Sequence, residues 1–455
     1  MNFLIASVSS EPSIDHAPFI LSGVLLSLVV IYLASKIGGE ISNRLGLPPV
    51  LGELLAGVIV GVSALKLLTF PESGSDGSDS VIMWLLQTTL GLPASEVSAV
   101  FTQVSDVVLL LSELGVIILL FEIGLESDLK QLLGVGAQAV VVAVIGVVLP
   151  FAAGTAGLIF LFGMAPIPAI FAGAALTATS IGITSRVLSE LGKLTSKEGQ
   201  IILGAAVTDD VLGIIVLAIV ASLAKTGTVD LGNVIILIIS AASFLVGALL
   251  LGQLVNKLYV SVATNLKTRG EIITPAFIFA FAMAYLGNAI HLEAILGSFT
   301  AGLILDESDE RNELQKQVVP VADLLVPIFF VTVGAKTNIG VLNPLIPVNR
   351  EGLIIAAFLI VVAIVGKVAT GLGAFGQPGI NRWAIGVGMI PRGEVGLVFA
   401  GIGSSSGVLS ESLNAAIVIM VIITTFIAPP LLRVAFGISP DLESKELKTE
   451  VTKES

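Results

Sequence analysis

Apolar residues run through this chain in long blocks, separated by short polar patches. A helix needs ~20 apolar residues to cross ~30 Å of hydrocarbon, and thirteen segments come near that length. They run roughly over 18–36, 47–66, 105–125, part of 132–162, 167–190, 199–224, 231–256, 271–290, 293–306, 318–335, 351–374, 382–403 and 411–436. The ninth is short. The pattern predicts an all-α membrane protein of about 13 transmembrane helices. A short extracytoplasmic segment (1–17) precedes the membrane region (18–436), and a hydrophilic tail (437–455) follows it.

Composition agrees. The chain is 55% hydrophobic and 12% charged, where a soluble domain is about 25% charged. The net charge of −12 says little, because much of the acid lies in the tail "SPDLESKELKTEVTKES". Nothing suggests a nucleic-acid partner. Cysteine is absent, which excludes disulfides and thiolate metal sites. The two histidines, His16 and His291, are too far apart in sequence to suggest a metal pair, and no cofactor is expected. The start, "MNFLIASVSSEPS", lacks a basic n-region, so no secretory signal peptide is expected.

The basic residues orient the spans. With the N-terminus outside, the loops after odd-numbered spans and the tail hold 16 of the 22 Lys and Arg. The opposite side holds four, Lys66, Lys225, Lys336 and Arg350, and two, Lys367 and Arg392, fall inside spans. This asymmetry follows the positive-inside rule and predicts N-out, C-in and an odd number of spans.

The chain also repeats itself. "VLGELLAGVIV" (50–60) in span two and "ILGSFTAGLIL" (295–305) in span nine share an L-G-x-x-x-A-G frame. "LLFEIGLESDL" (119–129) and "IFFVTVGAKTNI" (328–339) follow in the same order in spans three and ten. An offset of seven spans turns the second copy upside down. Two inverted-topology repeats are therefore expected, about 18–224 and 271–436, joined by a linker helix at 231–256. Such repeats are characteristic of secondary transporters, which bind substrate near the midplane. The repeat pairs spans five and twelve, which carry the polar interruptions "LTATSIGIT" (176–184) and "GMIPRGEVGL" (388–397). Both read as broken helices, whose freed backbone groups are tolerated only inside protein or beside water.

The run "IILGAAVTDDVLGIIVLAIVASLA" carries two adjacent aspartates, Asp209 and Asp210, near its middle. A charge at the bilayer centre costs at least ~2.5–3.5 kcal/mol, so each needs a reason. Neighbours on a helix point about 100° apart. One aspartate can meet a lysine, with Lys367 in "AIVGKVATG" the obvious partner, while the other faces a cavity. Burial disfavours an ammonium and a neighbouring carboxylate favours it, so an alternating pair can take up and release a proton. An aspartate in a wet cavity, helped by Thr and Ser hydroxyls, suits a small hard cation. Competition of proton and cation for one carboxylate is a simple basis for exchange. Arg392 and Glu394 read as compensating charges at the second break, with Glu122 as an extra partner for them.

"PPVLGELLAGVIVG", "FEIGLESDL", "ALTATSIGITSRVLSELG", "EGQIILGAAVTDDVLGIIVLAIV", "FFVTVGAK" and "GMIPRGEVGLVFAGIG" resemble the second family of monovalent cation:proton antiporters, in particular its NapA-type sodium/proton members, including the cyanobacterial ones. The likeness covers residues 18–436. It implies an NhaA/NapA-like fold with crossed broken helices, a homodimer, elevator-like alternating access and a role in pH homeostasis. By motif, Asp210 resembles the ion- and proton-binding aspartate that holds the transported Na+, and Asp209 the partner of the helix lysine, here Lys367. Thr179 and Ser180 resemble break residues beside the ion. Adjacent aspartates further imply electrogenic exchange.

The expected function is Na+/H+ antiport in the lipid bilayer of a bacterial inner membrane, or of a thylakoid for a cyanobacterial source. K+/H+ antiport on the same fold stays open, as does Li+ as a substrate. Kef-type potassium systems usually show Gln-Asp in place of Asp209-Asp210 and add a nucleotide-binding domain after the last helix, which disfavours them here. A cation channel or a non-transporting sensor is the rival of another class. Aspartyl hydrolysis is disfavoured, since its two aspartates come from two helices. The orientation has a direct check, because the cysteine-free chain gives no background: Lys193→Cys should be labelled by an impermeant maleimide from the cytoplasmic side only, and Lys66→Cys from the outside only.

Overall fold

A computed structural model of the chain describes residues 15–71, 75–226, 231–290, 292–306, 308, 311–345, 347–375 and 379–437. His291 and most of both predicted terminal segments lie outside the described residues. Among the described residues the regular elements are helical. In chain order they are α1 (Ala17–Arg44), α2 (Pro49–Val60), α3 (Val81–Leu90), α4 (Val97–Glu126), α5 (Leu129–Gly134), α6 (Gly136–Phe160), α7 (Pro166–Ala175), α8 (Ile181–Glu190), α9 (Lys197–Thr226), α10 (Leu231–Asn265), α11 (Ile273–Ala289), α12 (Ala294–Asp306), α13 (Arg311–Lys336), α14 (Pro347–Val368), α15 (Arg382–Gly388), α16 (Glu394–Ser405) and α17 (Glu411–Ala435).

Seven of these, α1, α4, α6, α9, α13, α14 and α17, are long and apolar enough to cross a bilayer. Helix α10 is longer than the apolar stretch 231–256 suggested, ending at Asn265. Helix α3 was not anticipated. It is only ten residues long, and its Ser80 N-cap, accepting from the Met83 N–H, marks a start that hydropathy does not register.

Span five divides into α7 and α8, and span twelve into α15 and α16. The first break covers Leu176–Ser180 and the second Met389–Gly393. Pro391 supplies no N–H and disfavours helical backbone in the residue before it.

The helices sort into a row and a bundle. In the row α1 packs on α2, α2 on α13, α13 on α4, α4 on α12 and α12 on α11. In the bundle α9 packs on α6, α6 on α14 and α14 on α17, with α7 against α6 and α16 against α17. Between the two, α8 touches α4 and α2.

The row depends on close backbone approach. A Cβ on Gly57 would lie 2.3 Å from the Val331 carbonyl oxygen and 2.9 Å from Gly334 Cα. A Cβ on Gly302 would lie 2.3 Å from the Phe121 carbonyl oxygen and 2.8 Å from Gly124 Cα. Gly57 and Gly302 are the matching glycines of the two L-G-x-x-x-A-G frames, and each meets the glycine of the other copy's second motif. Small residues serve helix packing in membranes because lipid supplies no hydrophobic drive to hold helices together. Gly57→Val and Gly302→Val should each lower the unfolding midpoint in detergent, by the equivalent of about 1–3 kcal/mol for overpacking. Gly134→Ala, where an added Cβ meets nothing within 4 Å, should leave the midpoint unchanged.

Candidate functional site

The two breaks face each other, and each supplies what the other lacks. The Ser180 backbone N–H donates to the Pro391 carbonyl at 2.8 Å. The Thr179 hydroxyl donates to the Met389 carbonyl at 3.2 Å, and the Thr184 hydroxyl to the Gly388 carbonyl at 3.0 Å. The carbonyls just past α7 go to cations: Lys367 Nζ donates to Thr177 O at 2.7 Å and Arg392 Nη1 to Ala178 O at 2.6 Å. The C-terminal end of a helix carries partial negative charge, so both cations lie where its field favours them. Thr425 in turn donates to the Arg392 carbonyl.

Lys367 then reaches Asp209. Its Nζ lies 3.0 Å from Asp209 Oδ2, and both side chains are fully buried. Gly146 makes room for it, since a Cβ there would come within 3.1 Å of Lys367 Nζ. Thr370 donates to the Lys367 carbonyl at 2.6 Å, in the short 3-10 turn Ala369–Gly373 that ends α14. The charges of Asp209, Arg392 and Asp210 all act on Lys367, and that of Asp209 acts on Arg392. Asp210 is 6% exposed, one position further round α9.

Several polar atoms here lack a hydrogen-bond partner among the described residues: Asp209 Oδ1, Ser180 Oγ, and Arg392 Nε and Nη2. Buried polar atoms are normally paired, and exceptions call for a reason. At this point the chain presents carboxylate, hydroxyl and carbonyl oxygens at membrane depth, the donor chemistry of a small hard cation.

The structure thus gathers Asp209, Asp210, Lys367, Thr179, Ser180 and Arg392 at the paired breaks. The Glu394 side chain lies outside the described ones. Glu122 is buried on α4. It sits near the end of α4, which meets α8, and the charge of Arg186 acts on it. Arg186 pairs with Glu190 at 3.1 Å and also feels Glu122 and Glu53. The role of Thr177 was not foreseen. Its contribution is a backbone carbonyl, which side-chain chemistry cannot signal.

Comparison with known proteins gives this arrangement its class. The sequence profile of the transmembrane sodium/hydrogen exchangers matches residues 25–436, and the chain belongs to that family. It is an integral membrane protein. It is 60% identical over 426 residues to the high-affinity Na+/H+ antiporter NhaS3 of Synechocystis, covering 94% of this chain and 92% of that one. It is 34% identical over 415 residues to the Na+/H+-K+ antiporter GerN of Bacillus cereus, covering 90% and 95%. Among solved structures it shares its fold with the sodium proton antiporter MjNhaP1 of Methanocaldococcus jannaschii, at a TM-score of 0.60 and 18% identity, over 93% of this chain and 98% of that one.

Removing one partner of a buried ion pair leaves an uncompensated charge and typically costs 3–5 kcal/mol. Lys367→Ala should therefore lower the unfolding midpoint in detergent markedly. Asp209→Asn combined with Lys367→Met should recover most of that loss. A midpoint unmoved by Lys367→Ala would contradict the buried pair.

Proposed function

We propose that this protein exchanges Na+ for H+ across its membrane, driven by the ion gradients alone. The buried Lys367–Asp209 pair, formed where two broken helices meet, is the observation that supports it best. Asp210 is the carrier carboxylate, which takes a cation or a proton but not both. Asp209 holds Lys367, and loss of a proton from that lysine couples a further charge to the cycle. Thr179 and Ser180 offer oxygens beside the ion. Arg392, with Glu394, secures the break.

Alternating access then follows from two layers moving past one another. The aspartates and both breaks belong to the bundle of α6–α9 and α14–α17, while the glycine-packed row stays in place. The crosswise glycine contacts support two inverted repeats, and the distribution of Lys and Arg supports thirteen spans with the N-terminus out and the C-terminus in. The row is the natural dimer face of a homodimer, and a bacterial inner or thylakoid membrane is the setting.

A second reading, K+ in place of Na+, has the name of the Bacillus cereus relative in its favour. One experiment tests both. Purified protein in proteoliposomes is given a pH gradient, then Na+, K+ or Li+ separately, and lumenal pH is followed. Na+ should move protons, and Asp210→Asn should abolish the movement without altering the unfolding midpoint. Exchange retained by Asp210→Asn would overturn the carrier assignment, and a response to K+ alone would select the second reading.

A further inference from the structure

One acid within a membrane helix has no part in the site so far. Glu113 lies at mid-length of α4, and its side chain is exposed. It lines a cavity of about 250 Å³ that has α4 and α13 on one wall and α16 and α17 on the other. Helix α4 turns Leu109, Ser112, Glu113 and Val116 toward it, the spacing of one helical face. The cavity reaches Gly393 in the second break. Gly393 abuts the first break, since a Cβ on it would come 2.7 Å from Ser180 Oγ. The cavity thus leads from Glu113 to the paired breaks.

A second observation points to a ligand. Thr332 of α13 lines the same wall, is 2% exposed, and its Oγ1 has no hydrogen-bond partner among the described residues. Ser112, beside Glu113, is also buried. None of the ion pairs among the described residues involves Glu113. The basic residue at the rim, Lys336, sets its ammonium over the Phe70 ring, 5.9 Å from the centroid. Ionisable groups at membrane depth are costly and mark ion pathways when they face a wet cavity.

We propose that Glu113, with the hydroxyls of Ser112 and Thr332, forms a collecting site for a monovalent cation, which the ion occupies before it reaches Asp210. The inference rests on the exchanger reading above. The three groups are hard oxygen donors of the kind that suit Na+ or K+. A carboxylate in a low-dielectric cleft concentrates cations and speeds their arrival. The site stands on the row, while Asp210 stands on the bundle. It therefore serves only the side to which the cavity opens, the outside in the N-out orientation.

The test is a side-selective measurement of Na+-dependent proton movement in right-side-out and everted vesicles, comparing wild type with Glu113→Gln. The apparent KM for Na+ should rise about tenfold on the outer side, the low end of electrostatic focusing. The maximal rate and the inner-side KM should hold. Raising ionic strength with choline chloride should narrow the gap, because the attraction is screened. Thr332→Val should shift KM the same way by less, and Glu113→Asp should restore most of it. An outer KM that Glu113→Gln leaves unchanged overturns the proposal, as does an equal rise on both sides, the mark of a structural role. A wild type that moves no protons with any cation fails the exchanger reading, and the collecting site falls with it. An active wild type indistinguishable from Glu113→Gln removes the collecting site alone.

Discussion

A helix interrupted inside a membrane leaves carbonyls with no water to turn to, and this structure is organised around that debt. Residues 388, 389 and 391 have their carbonyls satisfied by Thr184, Thr179 and the Ser180 N–H. Residues 177 and 178 have theirs satisfied by Lys367 and Arg392. An unsatisfied group would cost several kcal/mol in hydrocarbon. The breaks persist because neither has to be satisfied alone. The same arrangement fixes two cations at the end of α7, and these in turn make a buried carboxylate tolerable at Asp209. Chemistry and fold are thus coupled through backbone carbonyls.

The long apolar blocks, the polar interruptions at 176–184 and 388–397 and the intramembrane charges were readable from the sequence because each is a local departure from hydropathy. Lys367 could be matched to an aspartate because it was the one lysine in an apolar span. That the Arg186 charge acts on Glu122 was not readable, since it depends on how α4 crosses α8. Thr177 was hidden because it acts through its backbone. Glu113 was visible in "LLLSELGVIILL", but nothing local says whether such a residue faces lipid, protein or a cavity. Helix α3 was missed for its length, and the extent of α10 because its last turns are polar.

The glycine contacts show how a weak sequence repeat acquires physical meaning. Taken alone, "FEIG" and "VTVG" share one glycine and little else. In the fold Gly124 abuts Gly302 and Gly334 abuts Gly57. What the two copies share is therefore the places where backbones must touch. Side chains elsewhere on these helices are free to diverge, and they do.

The seam between row and bundle differs at its two ends. Toward Lys336 it opens into a cavity. At the other end α8 is tied to α2 and α4: Glu190 accepts from the Val50 N–H at 3.4 Å, and Ser189 donates to Glu126 at 2.9 Å. These polar ties sit on the last turn of α8, over a hydrophobic cluster that joins Val50, Leu54 and Leu119 of the row to Val187, Ile202 and Leu432. Apolar packing is non-directional and a hydrogen bond is not, so the two polar ties set the register of this end of the seam while the cluster beneath them fills it.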